Sequence, residues 1–351
     1  MWKRKGGRMK RAVLFGAGEN APEVLRYING RHVKVAAIVD NDKDKWGKSV
    51  DGVKVYGPSI LKKADFDYVL IASSAYWEEI KMQLKEMRIK NTLPVYSSQL
   101  GTDEKRIFSR CINWRGKFIL WRRSFLARQE FYPTLFGAIV NPYYFARKGL
   151  LECIEGNRDY ISGRCLDFGC GVKPYERLFQ TTEYVGVEIE SEKKRPGIVY
   201  YDGKTLPFAD GHFDCAICSQ VFEHIPNLEE VVAELSRVIK PGGRFILTVP
   251  FTYPEHLAPS DFRRFTSYGE KLLMEENGFD VIKSQKTGGF MEALAQMGNV
   301  YWSEKLFGGK RARLIKAAGV CFINWKGLAL SKLCREDKSL YLDAVIVARK
   351  R

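Results

Sequence analysis

Leu166-Asp167-Phe168-Gly169-Cys170-Gly171 decides the fold of the larger part of this chain. Apolar residues running into an acid and a G-x-G turn read as a strand that ends where a ligand can approach, because glycine lets the backbone come close to it. The downstream sequence supplies the context. A second strand, residues 184–187, closes on Glu188, 17 positions beyond Gly171 (188 minus 171). Next comes Asp202-Gly203-Lys204-Thr205-Leu206, a polar turn with apolar cover. Then an apolar strand from Phe213 runs into Ser219-Gln220-Val221-Phe222-Glu223-His224-Ile225. A lone G-x-G is a weak signal, whereas four ordered elements at these spacings are specific in combination.

Around this stretch, strands at 164–168, 184–187, 213–219 and 244–249 are interleaved with helices at 175–179 and 228–239. Residues 279–283 and 342–348 read as a closing strand pair. Asn227 is placed to cap the second helix with Glu230 as capping-box partner, and Pro241-Gly242-Gly243 stops it. With these elements in place, the sequence resembles the class I S-adenosylmethionine-dependent methyltransferases, in particular the small-molecule, type 11-like group, over residues 131–351. The resemblance implies a seven-stranded α/β domain that binds S-adenosylmethionine. It places Asp167, Gly169 and Gly171 against the methionine part, Glu188 on the ribose hydroxyls, and Asp202, Gly203 and Leu206 around the adenine, with Gln220 also at the cofactor. Many relatives carry a third glycine where Lys173 stands, so a slightly altered turn is expected there.

Methyl transfer is an in-line displacement at a carbon already activated by the sulfonium, so positioning supplies much of the acceleration. A hydroxyl acceptor must also lose its proton. His224, past the strand 213–219, and His256 with Asp261, in the loop 252–266 after the strand 244–249, are the catalytic candidates, since ligands bind at the C-terminal ends of such strands. Arg263 and Arg264 are candidates for gripping a substrate phosphate or carboxylate, with a solvated pair as the alternative. Asn141-Pro142-Tyr143-Tyr144 looks like the signature of methyltransferases acting on nucleic-acid amino groups. In this element order that signature would follow the strand 213–219, where Ser219-Gln220-Val221-Phe222 stands instead. Tyr143 and Tyr144 therefore read as an aromatic lid over the site or as core packing. No metal site is expected: Cys215 and Cys218 lie three apart on a strand and face opposite sides.

The first part of the chain has its own alternation of strands and helices, and residues 9–98 read as a small doubly wound domain. Strand 11–15 leads into Gly16-Ala17-Gly18 and a helix at 22–28, and strand 33–39 closes on Asp40, 22 residues beyond Gly18 (40 minus 18). Gly16 and Gly18 would admit a phosphate and Asp40 would accept ribose hydroxyls; the bland alternative is a tight turn that packs helix on strand. Asp40-Asn41-Asp42 with Lys45, Gly47, Gly52, Gly57 and Pro58 resembles the N-terminal nucleotide-sugar-binding domain of bacterial sugar acetyltransferases. That resemblance implies recognition of a nucleotide sugar, with NAD as the other ligand class.

Residues 99–130 read as a basic, aromatic linker. Residues 112–123 interleave Trp114, Phe118 and Trp121 with arginines, which suits either a linker helix with buried tryptophans or contact with an anionic membrane surface. The net charge of +16 favours anionic partners without choosing among phosphates, nucleic acid and acidic lipid. No stretch reaches the roughly 18 apolar residues of a membrane span, and the basic start lacks an apolar signal core. A cytoplasmic protein, peripheral at the inner membrane face, is the expectation. No RNA-binding module is recognisable, so nucleic acid is not the expected partner. The two α/β modules together point to a methyltransferase acting on a sugar hydroxyl, in a nucleotide sugar or a lipid-linked or surface glycan. An RNA methyltransferase and a non-catalytic scaffold for glycan assembly are the alternatives.

Overall fold

The computed structural model describes residues 9–73, 76–96, 100–191, 195, 197–306, 313–334 and 337–351. The basic run at residues 1–8 and the aromatic Phe307 fall outside them. The chain divides into two compact units, Met1–Ala127 and Arg128–Arg351.

In the first unit, β1 (Lys10–Phe15), α1 (Ala21–Tyr27), β2 (Val33–Val39), β3 (Ser49–Val50), β4 (Val53–Tyr56), β5 (Tyr68–Ile71), α2 (Trp77–Glu86) and β6 (Thr92–Pro94) build a six-stranded sheet in the order β3-β4-β2-β1-β5-β6. β1 pairs parallel with both β2 and β5. Its run Ala12-Val13-Leu14-Phe15 is buried on both faces, as expected of a parallel sheet covered on each side.

Residues 99–130 are not a linker. They form α3 (Thr102–Cys111) and α4 (Trp114–Phe131), and Ile107, Cys111, Ile112 and Leu120 join the apolar cluster of Leu14, Ile38 and Leu70. Ile28 bridges Ile112 at the same place. The covering face was hidden in the sequence by the exposed aromatics and arginines on the other side of the helices. The tryptophan expectation reverses accordingly, since Trp114 and Trp121 are 73% and 61% exposed.

The second unit contains α5 (Gly137–Val140), α6 (Tyr144–Gly156), β7 (Ser162–Phe168), β8 (Gln180–Ile189), β9 (Ile198–Tyr201), β10 (Phe213–Ser219), α7 (Leu228–Val238), β11 (Ile239–Pro250), α8 (Ser267–Glu276), β12 (Phe279–Thr287), α9 (Phe290–Val300), α10 (Arg313–Leu333) and β13 (Asp343–Lys350). Its seven-stranded sheet has the order β12-β13-β11-β10-β7-β8-β9. β7, β8, β9, β10 and β11 are parallel, and β13 inserts antiparallel between β11 and β12. In β13, Ala344, Ile346 and Ala348 enter one core while Val345 and Val347 enter the other, the period-2 alternation of a strand buried on both faces. The chain reverses direction across the sheet between β7 and β10, and the crevice at their C-terminal ends is where an open α/β sheet receives ligand.

Two local expectations change. Asn227 precedes α7 but makes no side-chain cap; its amide donates to Gly203 O at 3.1 Å and to Glu230 at 2.9 Å, tying the helix start to the turn after β9. Lys173, at the position where the resemblance implies a third glycine, takes a left-handed φ of 51°, a strained conformation for a non-glycine residue.

Candidate functional site

Hydrogen bonds from both sides hold the turn after β7. Gly169 N donates to Val187 O at 2.9 Å, Gly171 N donates to Glu188 Oε1 at 2.5 Å, and Arg195 donates to Gly171 O at 2.6 Å. Gly169 adopts a φ of 69°, and a Cβ there would lie 2.3 Å from a methyl of Val221, so glycine is required both by conformation and by space. That contact brings the β7 turn against the segment leaving β10.

Between them opens a cavity of about 720 Å³. Gly169, Glu188, Asp202, Gly203 and Gln220 line it, together with Phe168, Ile189, Tyr201, Val221, His224 and Leu257. Asp202 Oδ1 also accepts from the amides of Lys204 and Thr205, both at 2.8 Å, which cap the turn and hold its carboxyl below the usual range. Gln220 stands at a φ of 59° with its amide on Thr248 O at 2.9 Å and its side chain on Thr248 Oγ1 at 3.2 Å.

Three expected cofactor residues do not reach the cavity wall. Leu206 is buried in the core beside Phe213, so it covers from behind. Gly171 acts through its amide on Glu188. Asp167 lies beneath the turn, accepting from Tyr184 OH at 2.8 Å, and burial pushes its carboxyl up to about 7. A larger cavity of about 820 Å³ lies against β12, lined by Lys148, Gln285, Thr287 and Lys338, and shares no residue with the first.

Both candidate histidines stand at the mouth of the β7–β10 crevice. His224 Nδ1–H donates to Ser260 O at 2.6 Å, and the rings of His224 and His256 meet edge to face, 4.8 Å between centroids. His256 Nδ1 lies 3.2 Å from Asp261 Oδ2 and 3.4 Å from Arg264, and its partial burial lowers its basicity. Asp261 is not a free base. Arg264 grips both its oxygens at 2.5 and 2.7 Å, the His256 amide donates to it at 2.8 Å, and these contacts, the Arg264 pair foremost, hold its carboxyl far below the usual range.

Arg264 is equally committed. It also donates to the carbonyls of Tyr253 and Pro254, so it fixes the loop rather than gripping substrate. Arg263 donates to Pro226 O at 3.0 Å from an exposed position. Of the aromatic pair, Tyr144 is core, 1% exposed against Phe145, while Tyr143 alone stays partly open, its hydroxyl donating to Glu304.

Glu223 is a candidate that the sequence does not reveal. Glu223 is fully buried, neither carboxylate oxygen has a hydrogen-bond partner, and burial pushes it up to about 8. Asp343, at the start of β13, is likewise buried and raised to about 7, accepting from Thr287 Oγ1 at 2.6 Å. No local signal marks an acid for burial, because the covering groups come from distant elements.

Residues 166–247 match the family described as methyltransferase domain. The second unit carries a class I, S-adenosylmethionine-dependent methyltransferase domain. A sterol 4-C-methyltransferase of Caenorhabditis elegans is 32% identical over 102 residues, 24% of this chain and 30% of that protein. A squalene methyltransferase of Botryococcus braunii is 36% identical over 99 residues, 23% of this chain and 26% of its own. The chain thus spans a third or less of these two relatives. A solved S-adenosylmethionine-dependent methyltransferase from Archaeoglobus fulgidus is 18% identical, covering 64% of this chain and 99% of its own, with a TM-score of 0.38.

Residues 8–94, ahead of the methyltransferase domain, match the family described as C2185-like, N-terminal. That description names neither a ligand nor sugar acetyltransferases. In this unit Gly16 has a φ of 107°, whereas Gly18 is not left-handed. Asp40 is enclosed: its Oδ2 accepts from Ala17 N at 2.6 Å, its Oδ1 from Asp42 N at 2.8 Å, and Lys45 stands 3.4 Å away. Its carboxylate serves the turn.

Proposed function

We propose that the protein transfers the methyl group of S-adenosylmethionine to a sugar hydroxyl, carried by a nucleotide sugar or by a lipid-linked or surface glycan. The observation that carries this reading is the pair His224 and His256, set 4.8 Å apart beside the methyl-donor cavity. Such a pair suits an acceptor that must lose a proton as it attacks. The oxygen's electron pair forms the new O–C bond, the C–S pair returns to sulfur, and an imidazole takes the hydroxyl proton. Burial keeps His256 in the neutral form that can accept it.

The sugar rests on the first unit, whose G-x-G turn and Asp40-Asn41-Asp42 segment resemble nucleotide-sugar binders. Because the Asp40 carboxylate is already held by Ala17 and Lys45, the nucleotide would meet the amides of the turn rather than this acid. A second reading, an apolar isoprenoid acceptor, draws on what the two relatives are named for and on the apolar wall of Ile189, Val221, Ile225 and Leu257. Incubation with methyl-labelled S-adenosylmethionine and separate pools of nucleotide sugars, glycans, sterols and RNA decides between them. Label in the sugar pools supports the proposal; label only in sterols or RNA, or binding without transfer to any pool, sinks it.

The reading includes peripheral contact with an anionic membrane. On α4 the exposed Trp114, Phe118 and Trp121 follow one another at i, i+4 and i+7, flanked by Arg115 and Arg122. No described helix is long and apolar enough to cross a membrane.

A further inference from the structure

Glu223, His224 and His256 each present a ligand-type atom to one point, all within 4.8 Å of one another. Their surroundings are those of a prepared site. His224 Nδ1–H is spent on Ser260 O at 2.6 Å, which leaves Nε2 with its lone pair, 3.7 Å from Glu223 Oε1. His256 turns Nδ1 toward Asp261 at 3.2 Å, which leaves its Nε2 on the far side of the ring. A carboxylate or carbonyl behind each imidazole is the arrangement that orients metal-bound histidines and raises their basicity. Asp261 is itself fixed by Arg264, and Ser260 and Asp261 belong to the same loop.

The second, independent observation is Glu223. Its side chain is 1% exposed, and neither oxygen finds a donor. Burying a carboxyl without partners is costly, and a native fold retains such a group when something binds it.

We propose that Glu223, His224 and His256 form a binding site for one divalent transition-metal ion of the zinc type. Two imidazoles and one carboxylate are the ligand set of catalytic zinc sites, which keep a fourth position open. Ligand atoms on one tetrahedral ion lie about 3.4 Å apart, given bonds of about 2.0–2.2 Å. The three groups must therefore draw in by about 1.4 Å at most from their present 4.8 Å. His256, with a side chain 31% exposed, has the room to move.

Since His224 also lines the cavity, an ion held by it would stand at the cavity wall, within reach of an acceptor. There the ion would hold an acceptor hydroxyl and acidify it, with the proton released to water before the oxygen attacks the methyl carbon. This role rests on the methyl-transfer reading, but binding of the ion does not. With metal bound, the two histidines are ligands rather than bases.

The test titrates the metal-stripped full chain with cobalt(II), whose visible spectrum reports a low-coordinate N/O site, and then displaces it with zinc(II). One cobalt per chain is expected. Glu223→Gln, His224→Ala and His256→Ala should each weaken binding about tenfold to a hundredfold, and Asp261→Asn should do so to a similar or smaller degree. His256→Ala is the variant least able to disturb the fold, and its thermal transition checks that it has not. Saturable binding that His256→Ala and His224→Ala leave unchanged, or no saturable binding to the folded chain, overturns the site. Metal binding with no methyl transfer to sugars would leave the site standing and remove the sugar reading alone.

Discussion

Glu188 Oε1 accepts a 2.5 Å hydrogen bond from the amide of Gly171, so the acid that lines the cavity also ties down the second glycine of its turn. The first unit repeats the contact, with Asp40 Oδ2 on the amide of Ala17 at 2.6 Å. The two acids differ in what else holds them. Asp40 has Lys45 and the Asp42 amide and is 8% exposed, whereas among the described residues Glu188 has, beyond that amide, Arg195 at 3.5 Å, and it lines the cavity. Glu188 is thus the better placed of the two to accept from a ligand's hydroxyls, and the prediction takes that ligand to be the ribose of S-adenosylmethionine. Glu188→Gln should weaken S-adenosylmethionine about tenfold to a hundredfold, the cost of losing hydrogen bonds to a charged acceptor. Calorimetric titration reads this, and unchanged affinity would take Glu188 out of the ribose site.

Asp167, acting from beneath the β7 turn, should make cofactor binding depend on pH. Its folded carboxyl is raised to about 7 from an ordinary value of 3.8, chiefly by burial. A group raised in the folded state contributes stability that is fully present below its unfolded pKa and is lost as pH rises through its folded one. Asp343, also raised to about 7, acts in the same direction. The ligand-free domain should therefore melt lower at pH 8 than at pH 5. An ammonium group near Asp167 favours the ionised carboxylate, so S-adenosylmethionine should bind more tightly as pH rises toward 7, by up to about tenfold per unit. Asp167→Asn should flatten that slope. An unchanged slope in this variant would place the ammonium elsewhere.

Asp261 shows how little of the loop after β11 is legible in the sequence. Its proximity to His256 in sequence suggested a base pair of groups, yet Arg264 neutralises it and both belong to the loop's framework. Asp261→Ala removes one partner of a bidentate pair and leaves Arg264 beside an apolar stump, which should cost about 3 kcal/mol of local stability. Methyl transfer should fall sharply while cofactor affinity stays within about threefold, because Asp261 does not line the donor cavity. Equal losses in both would mean that the loop also shapes the donor site.

The elements legible in the sequence were those fixed by short-range patterning. The β7 turn, the strands β7, β8, β10 and β11 and the acid closing β8 all follow from apolar runs, glycines and their spacing, whereas the short β9 (Ile198–Tyr201) is not among them. What was not legible depends on groups far apart in sequence. Glu223 is an acid by type and exposed by default, and only the folded loops bury it. Tyr143 and Tyr144 are neighbours of the same type, but α6 turns one into the core and the other toward Glu304. α3 and α4 escaped because the aromatic residues that caught the eye are the exposed ones, while the quieter Ile107, Cys111 and Leu120 face the sheet.

Gly169 and Gly171 look alike in sequence and should respond unequally to alanine. At Gly169 the added methyl group meets Val221 at 2.3 Å on a left-handed backbone, so Gly169→Ala must displace the segment leaving β10. At Gly171 the φ is 52° and nothing lies within 4 Å of an added Cβ. There the cost reduces to the left-handed conformation, about 1–2 kcal/mol. Gly171→Ala should keep the fold and bind S-adenosylmethionine more weakly, whereas Gly169→Ala should lose binding altogether. Thermal melts with and without cofactor separate the two, and similar behaviour of both variants would contradict the close approach at Val221.

The face of α4 that was expected to be buried offers the last test. Trp114, Phe118 and Trp121 are 73%, 59% and 61% exposed, an apolar strip that water does not favour. Arg123 is already paired with Glu23 at 2.5 Å, so Arg115, stacked over Trp114, and Arg122 supply the charge beside the strip. Each such arginine near an anionic surface contributes about 1 kcal/mol, and salt screens it. Cosedimentation with phosphatidylserine-containing vesicles should therefore fall for Arg115→Glu with Arg122→Glu, most visibly at low salt. Trp114→Ser with Trp121→Ser should reduce it at every salt concentration, because apolar insertion is not screened. Vesicles that pull down the wild-type chain and both double variants equally would assign the strip to another partner.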